Sequence, residues 1–506
     1  MEKSLYEKVN IWLRPFLYLV VIAIVVIVLP YIVGEIIGLP EVKNEDWLGV
    51  LQNMPEVFAG VLGIAITVVA IIVELAANRY TAKITELFFL SKINSIVMGY
   101  FVVSAIQCIW VSFEGAPYLG VQIAFFNITL AMLLLLPYFV FVFHFLDPLN
   151  IIKRIKEQTL SYVQTNINSK IEKRKQLAIK GIEQLSDIAL NAITNKDKGV
   201  SMSAVDTLRE LLFSYIEKKD NLTEEWFKIT SPISLNPDFV SMTEDMLKEI
   251  EDNKEWFEMK ILRQYQMLYN EALNKMRDIN YLIAINSRMI GEKAMEKRID
   301  YLLYLIIKFF NTYLRATLNA KDVRTAYNIL NQYRILAESC LKNGYYKYCD
   351  DIAGYFKYYG QLAFSMGLPF ILETVAYDLC ALNELAYKLQ VPNLRNLLSI
   401  FLEVDKESEK PHKYESTLRG VRKAQVKLAT FYLVNGEEEL AKMIYEDMKN
   451  ETSFRLRSIK EELLSVVSKD FWEIIDRGTN FDYLEPKRKE KLDTFFSWFG
   501  DRLKDN

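Results

Sequence analysis

Four stretches within the first 150 residues contain no Asp, Glu, Lys or Arg: residues 15–34, 57–73, 93–113 and 115–146. An α-helix rises about 1.5 Å per residue, so about 20 apolar residues cross a hydrocarbon core about 30 Å thick. The first, third and fourth stretches reach that length, and Leu75, Ala76 and Ala77 carry the second past Glu74. One such run is compatible with a buried helix of a large soluble protein. Four in so short a segment require lipid as their solvent. The first is too long for the apolar part of a cleaved signal peptide, and no small-residue cleavage pattern follows it, so it is read as a retained helix. The expectation is four spans, near residues 13–34, 54–77, 93–113 and 119–146.

Charge separates this region from the rest. Residues 1–150 hold 7 basic and 11 acidic residues, against 54 and 53 in the remaining 356. The pattern predicts a transmembrane domain over 1–150 followed by a soluble one. Orientation is read from Lys and Arg in the connecting segments. Lys3, Lys8 and Arg14 precede the first run; the first loop has Lys43 alone; the second has Arg79, Lys83 and Lys92; the third has none; Lys153, Arg154 and Lys156 follow the fourth. Basic and non-basic sides alternate at each crossing, which places both termini in the cytoplasm of a plasma-membrane protein, with Trp12, Tyr31, Trp110 and Tyr118 near the interfaces. Cys340, Cys349 and Cys380 then face a reducing compartment and are expected as thiols.

Along the second run, Ala59, Gly63, Thr67, Ala70, Glu74 and Asn78 recur every three or four residues and share one helical sector. Small residues let membrane helices approach closely, and a charge near lipid turns toward protein or water. This face is therefore a candidate helix-packing seam or the lining of a conduit, the seam being the commoner use. Gln107 and Asn127 lie at similar depth on antiparallel runs and form a candidate interhelical amide pair. Pro30 and Pro137 can kink the first and fourth helices. His144, with Asp147 three residues on, has the arrangement of a proton-sensing pair.

Residues 153–180 carry Lys153, Arg154, Lys156, Lys170, Lys173, Arg174, Lys175 and Lys180 against two glutamates. A basic juxtamembrane helix over 151–180 is expected, attracted to anionic lipid head groups chiefly through the first seven. Nucleic-acid binding is not expected, because the soluble part is near neutral and no basic-aromatic motif follows.

Beyond residue 180 helical periodicity dominates and strand-like alternation is nearly absent, so the fold class is all-α, with residue 320 a candidate division point. Helices are predicted near 180–195, 202–218, 240–290, 292–318, 322–343, 345–366, 370–389, 393–404, 413–434, 437–449, 452–468 and 487–503. Ala429, Tyr432, Gly436, Ala441, Tyr445 and Met448 have the spacing of a tetratricopeptide helix pair, and this segment resembles one such repeat. Ala337, Cys340, Cys349, Ala353 and Phe356 around Gly344 give a looser copy. The resemblance implies a stack of helical hairpins that binds a protein or peptide partner. A second resemblance lies at the end of the second run, Glu74-Leu-Ala-Ala-Asn-Arg-Tyr-Thr-Ala-Lys-Ile84, which is similar to a segment in a large uncharacterised family of predicted prokaryotic multi-pass membrane proteins, with Ala82 and Lys83 where that family has Pro and Arg. Ala189-Leu-Asn-Ala192 with Asp197, and Thr317-Leu-Asn-Ala320 with Asp322, are candidate counterparts of that family's soluble motif and resemble each other. This likeness implies architecture and no activity.

No phosphate loop, dinucleotide fingerprint, zinc-protease helix, nucleophile elbow or kinase set is present. With His144 and His412 the only histidines, and the carboxylates of Glu244, Asp245, Glu249 and Glu251 on a polar helix face, no catalytic, metal or cofactor residue is named. The function expected is a non-enzymatic membrane scaffold or sensor displaying a helical interaction domain to the cytoplasm. The rival is a homo-oligomeric channel or transporter lined by the second helix.

Overall fold

The computed structural model describes residues 45–81, 83–112, 118–163, 171–405, 415–471, 477–478 and 480–500, with single positions between 25 and 38. The first expected span, at 13–34, lies largely outside the described residues, as do Lys170, His412 and Pro30. All regular structure among the described residues is helical. The chain forms two compact units, 1–157 and 158–506, and their boundary falls within one helix, Pro148–Tyr162.

The first unit contains α1 (Glu45–Arg79), the short α2 (Lys83–Phe89), α3 (Lys92–Val111) and α4 (Tyr118–Leu146). Among the described residues, three helical segments are long and apolar enough to cross a bilayer: Asn53–Arg79, Lys92–Val111 and Tyr118–Leu146. Phe58, Leu62, Ala65, Val69 and Val73 are buried at helical spacing along α1, which packs on α3 and α4. Only 28%, 39% and 22% of the three apolar windows is buried, so most of each apolar surface faces outward. Ile64, Ile71 and Leu75 of α1 and Phe126, Leu133, Leu136 and Val140 of α4 are exposed. In water such continuous patches drive association; in hydrocarbon they are the solvent-facing surface. The second connecting segment, expected as a loop, contains α2, which is anchored by buried Phe88 edge-on to Phe145 at 5.4 Å.

After α5 (Pro148–Tyr162), the second unit opens with α6 (Ile171–Thr194) and α7 (Lys198–Ile216), continues through the short helices α8 (Glu224–Phe227), α9 (Ser231–Ser234) and α10 (Glu244–Asp252), and then becomes regular. Helices α11 (Trp256–Lys275), α12 (Arg277–Lys297), α13 (Asp300–Asn319), α14 (Val323–Lys342), α15 (Tyr346–Ser365), α16 (Pro369–Lys388), α17 (Leu394–Leu402) and α18 (Glu415–Val434) follow, then α19 (Glu438–Met448), α20 (Ser453–Ser465) and α21 (Pro486–Ser497). From α11 to α17 each helix packs on the next, and from α11 to α18 each packs on the next but one. That arrangement belongs to a repeat-like helical stack, in which no single hairpin can bury its own apolar face. Stacked rings fill its core, Tyr269 on Tyr313 at 4.5 Å and Phe310 on Tyr333 at 4.7 Å.

The turns share one chemistry. A residue with positive φ ends the helix, and the next N–H bonds back five residues to a carbonyl of its last turn. Glycine serves at Gly344, Gly367 and Gly436, but Lys196, Lys254, Arg298, Lys321 and Gln390 take the same conformation. Two of these correct the expected boundaries. Residues 240–290 form parts of three helices, not one, because Lys254 ends α10 and Met276, at φ −151° and ψ 80°, separates α11 from α12. The helix expected from 292 starts at Asp300, since Arg298 closes α12 with Ile299 N–H donating to the Ala294 carbonyl at 2.9 Å. The 151–180 segment is likewise not one helix: α5 ends at Tyr162 and α6 begins at Ile171.

Candidate functional site

In the membrane unit the polar residues sort into two groups. Ala59, Gly63, Thr67, Ala70, Glu74 and Asn78 occupy the side of α1 opposite its buried stripe, and all six are exposed. A methyl group built on Gly60 or Gly63 would meet nothing within 4 Å, and the Thr67 hydroxyl turns back to the Gly63 carbonyl at 2.8 Å. The small and polar face therefore makes no seam with α3 or α4.

The second group is a buried network between α3 and α4. Asn127 Nδ2 donates to Gln107 Oε1 at 2.6 Å, which brings the two expected amides together. Tyr100 Oη donates to Asn127, 3.3 Å from Oδ1 and 3.2 Å from its carbonyl, and Tyr138 Oη donates to Asn94 Oδ1 at 2.7 Å. Sequence reading missed Asn94, Tyr100 and Tyr138. Their only available signal is depth, because Tyr138 sits one residue beyond Pro137 near the level of Asn94 on the antiparallel helix. Gln107 Nε2 is buried without a partner. His144 does not pair with Asp147: its ring and carbonyl lie 3.3 and 2.9 Å from Asn150 Nδ2, while Asp147 Oδ1 accepts the Leu149 N–H at 2.9 Å and caps α5. Asp147 is needed at the cap because an unpaired N–H there is costly.

The basic segment divides more sharply. Lys153 and Lys173 are exposed and Lys156 is half-buried. Lys175 is fully buried and is no lipid contact: its Nζ donates to the Lys228 carbonyl at 2.8 Å and to Glu172 at 3.2 Å, and burial pulls its pKa down. Arg174 Nε donates to the Tyr162 carbonyl at 2.8 Å, and the Arg154 guanidinium sits 3.9 Å from the centre of the Phe145 ring. Helical periodicity explains the loss of Lys175, which lies on the same face of α6 as buried Ala178, Ile179 and Ile182.

In the second unit the expected polar-face carboxylates have a buried neighbour pair. Glu255 stands immediately before α11 and Glu258 lies one turn on, with 1% and 0% exposure. Lys219 donates to Glu258 Oε1 at 2.6 Å, whereas Glu255 forms no ion pair among the described residues. Burial first, then the neighbouring carboxyl, pushes Glu255 well above the usual carboxylate range, and Glu258 moves the same way against the opposing pull of Lys219. Both carboxyls are buried, with Tyr215 close enough to feel them. Cys340 and Cys349 are buried free thiols, and burial pushes Cys340 up to about 12. The described residues include no cluster able to hold a metal ion.

Residues 8–180 match a family model described as a predicted membrane protein, DUF2254. The match covers the membrane unit and reaches into α6. The search of curated proteins finds no match. Among solved structures, a circular tandem repeat protein with novel repeat topology and enhanced subunit contact surfaces aligns over 64% of this chain and 79% of its own, at 17% identity and a TM-score of 0.31. That likeness is too low to carry an argument. The chain is a membrane protein with a large helical domain.

Proposed function

With an integral membrane protein as the premise, we propose a non-enzymatic scaffold or sensor of the plasma membrane, crossing the bilayer four times with both termini in the cytoplasm. The alternation of basic and non-basic connecting segments supports the orientation. The observation that carries the reading is the stack from α11 to α18, a helical surface far larger than a membrane anchor needs. Its hairpins at Gly344 and Gly436 bury Ala337, Cys340, Ala353 and Phe356, and Ala429, Tyr432, Ala441 and Met448, at tetratricopeptide-like positions. Such stacks recognise protein segments along an extended face, so a protein or peptide partner in the cytoplasm is the expected ligand. Lys153 and Lys173 are left as the exposed contacts for anionic head groups.

A second reading, a homo-oligomeric channel or transporter, is favoured by the exposure of the α1 face from Ala59 to Asn78. Small residues on an uncovered membrane face suit helix contact between copies, and Glu74 would sit at the mouth of the resulting conduit. Two measurements separate the readings. A reporter fused after Asn506 should be cytoplasmic in either case, and a periplasmic reporter refutes both. Purified protein in nanodiscs should be monomeric and inactive in liposome ion-flux assays under the scaffold reading; a symmetric ring with flux altered by Glu74→Ala establishes the channel.

A further inference from the structure

The second unit contains a cavity of about 270 Å³ between α16, α18 and the segment leading into α21. Five basic side chains line it against three carboxylates. Two of those carboxylates are already committed. Arg488 grips Glu384 with two bonds, at 2.7 and 3.0 Å, and Asp378 takes Arg477 on Oδ1 with Arg334 Nε at 3.4 Å. The third, Glu485, is exposed.

Two cations remain without a carboxylate. Lys427 is largely enclosed, and its Nζ donates to the Phe481 carbonyl at 2.8 Å; Lys469 is exposed at the rim and forms no ion pair among the described residues. Desolvation pulls the Lys427 pKa down and outweighs the opposing pull of Glu384 and Asp482 nearby. The arginines are fixed from behind, Arg477 over the Tyr327 ring at 4.4 Å and Arg488 over Phe431 at 4.9 Å. Phe481 stacks on Tyr377 at 4.6 Å and forms an apolar wall. A ligand that balances the two lysines carries two negative charges and accepts from Lys427 and Lys469.

We propose that this cavity binds a phosphate-class dianion, either free phosphate or a small phosphomonoester, with Lys427 as its principal contact. Monohydrogen phosphate and a phosphomonoester dianion both have the required charge and several acceptor oxygens. The proposal goes beyond the scaffold reading and does not depend on it, since binding is measured on purified protein whatever its orientation or partner.

The test is calorimetric titration of the full chain in nanodiscs with sodium phosphate and, separately, glycerol 3-phosphate, against chloride at matched ionic strength. One equivalent should bind, and the tighter of the two ligands identifies the source. Lys427→Met, which keeps the bulk, should weaken binding at least tenfold, Lys427→Arg should retain it, and Lys469→Ala should weaken it severalfold. Lys460→Ala, whose lysine pairs with Asp493 at 2.8 Å away from the cavity, should change nothing. If Lys427→Met fails to fold, as judged by its helical melting curve, Lys469→Glu decides, with a loss of at least tenfold expected. No binding at 10-fold molar excess in the millimolar range, or equal binding by the wild type and both lysine variants, overturns the proposal.

Discussion

Replacing Glu255 by Gln should make the α11 region more stable in neutral and alkaline solution, against the usual expectation for a buried polar substitution. In the folded chain the Glu255 carboxyl is 1% exposed and lies beside Glu258, and burial outweighs the opposing pull of Lys219 and the Leu302 backbone, so it stays protonated well above the usual carboxylate range. In the unfolded chain it ionises near its ordinary value of 4.5. Between those limits the folded state holds one proton more than the unfolded state, so stability is full below the unfolded value and falls as pH rises toward the folded one. One proton corresponds to about 1.4 kcal/mol per pH unit, or roughly 3 kcal/mol between pH 6 and pH 8. The groups facing the carboxyl are Lys219 and Glu258, with Tyr215 and Tyr301 close enough to be affected by the pair. Lys219 stays bonded to Glu258 in the variant, and the amide keeps the shape of the acid. Hydrogen exchange of the α11 amides in the full chain, corrected for the intrinsic pH dependence of exchange, reads the local opening free energy directly. The wild type should lose roughly 3 kcal/mol of protection from pH 6 to pH 8 relative to Glu255→Gln. Parallel pH profiles for the two proteins would show that the carboxyl is ionised in the fold and would refute the reasoning.

Three further outcomes follow from single contacts. Tyr138→Phe leaves Asn94 Oδ1 unsatisfied in the membrane unit and should cost about 0.6–1.7 kcal/mol in detergent unfolding titrations, the range for interhelical hydrogen bonds in lipid; an unchanged midpoint would assign the pair no weight. Gly181→Ala places a methyl group 2.0 Å from Thr159 Oγ1 and should destabilise the second unit by about 1–3 kcal/mol in thermal melts, with Thr159→Ala recovering part of the loss. Lys175→Met removes the donor to the Lys228 carbonyl and should cost about 1–3 kcal/mol while leaving affinity for anionic vesicles unchanged. A drop in vesicle binding at constant stability would return Lys175 to the lipid surface.

Much of the architecture was legible because apolar periodicity reports burial directly. The helices from Val323 to Lys388 begin and end within a residue or so of their expected bounds, helped by turns at Gly344 and Gly367, where positive φ selects glycine. The misplaced boundaries between 240 and 300 have a specific cause. Lys254 and Arg298 adopt the same left-handed turn without being glycine, at a steric cost that tertiary packing offsets. A lysine in a polar stretch gives no signal of that kind. The likeness between Ala189–Ala192 and Thr317–Ala320 is partly of this origin: Asp197 and Asp322 each cap the next helix, on Val200 and Thr325, directly after a left-handed lysine. The shared feature is the turn. The Ala-Leu-Asn-Ala and Thr-Leu-Asn-Ala segments stand three residues apart in register relative to those caps.

The site was less legible, because a charged residue reads the same whether it is solvated or enclosed. On α1 the pattern correctly separated a small polar face from an apolar one, but it carried no information about which of them meets α3 and α4. The apolar stripe does, with Phe58, Leu62 and Val69 buried, and the small face is exposed. Lipid removes the usual guide, since hydrocarbon accepts Ile64 or Val68 as readily as a neighbouring helix does. Lys175, Glu255, Asp378 and Lys427 reverse the problem within the soluble unit. Each lies in a run that looks like an ordinary polar helix face, yet each is enclosed because a helix or segment distant in sequence folds over it: Lys228 over Lys175, Phe481 over Lys427, Arg477 over Asp378. Those are contacts at separations of 53, 54 and 99 residues, and no local spacing encodes them. Enclosed charge is costly unless paired, so the positions where the pairing is incomplete, Glu255 and the cavity around Lys427, are the ones at which protons or ligands can still change the energy of the fold.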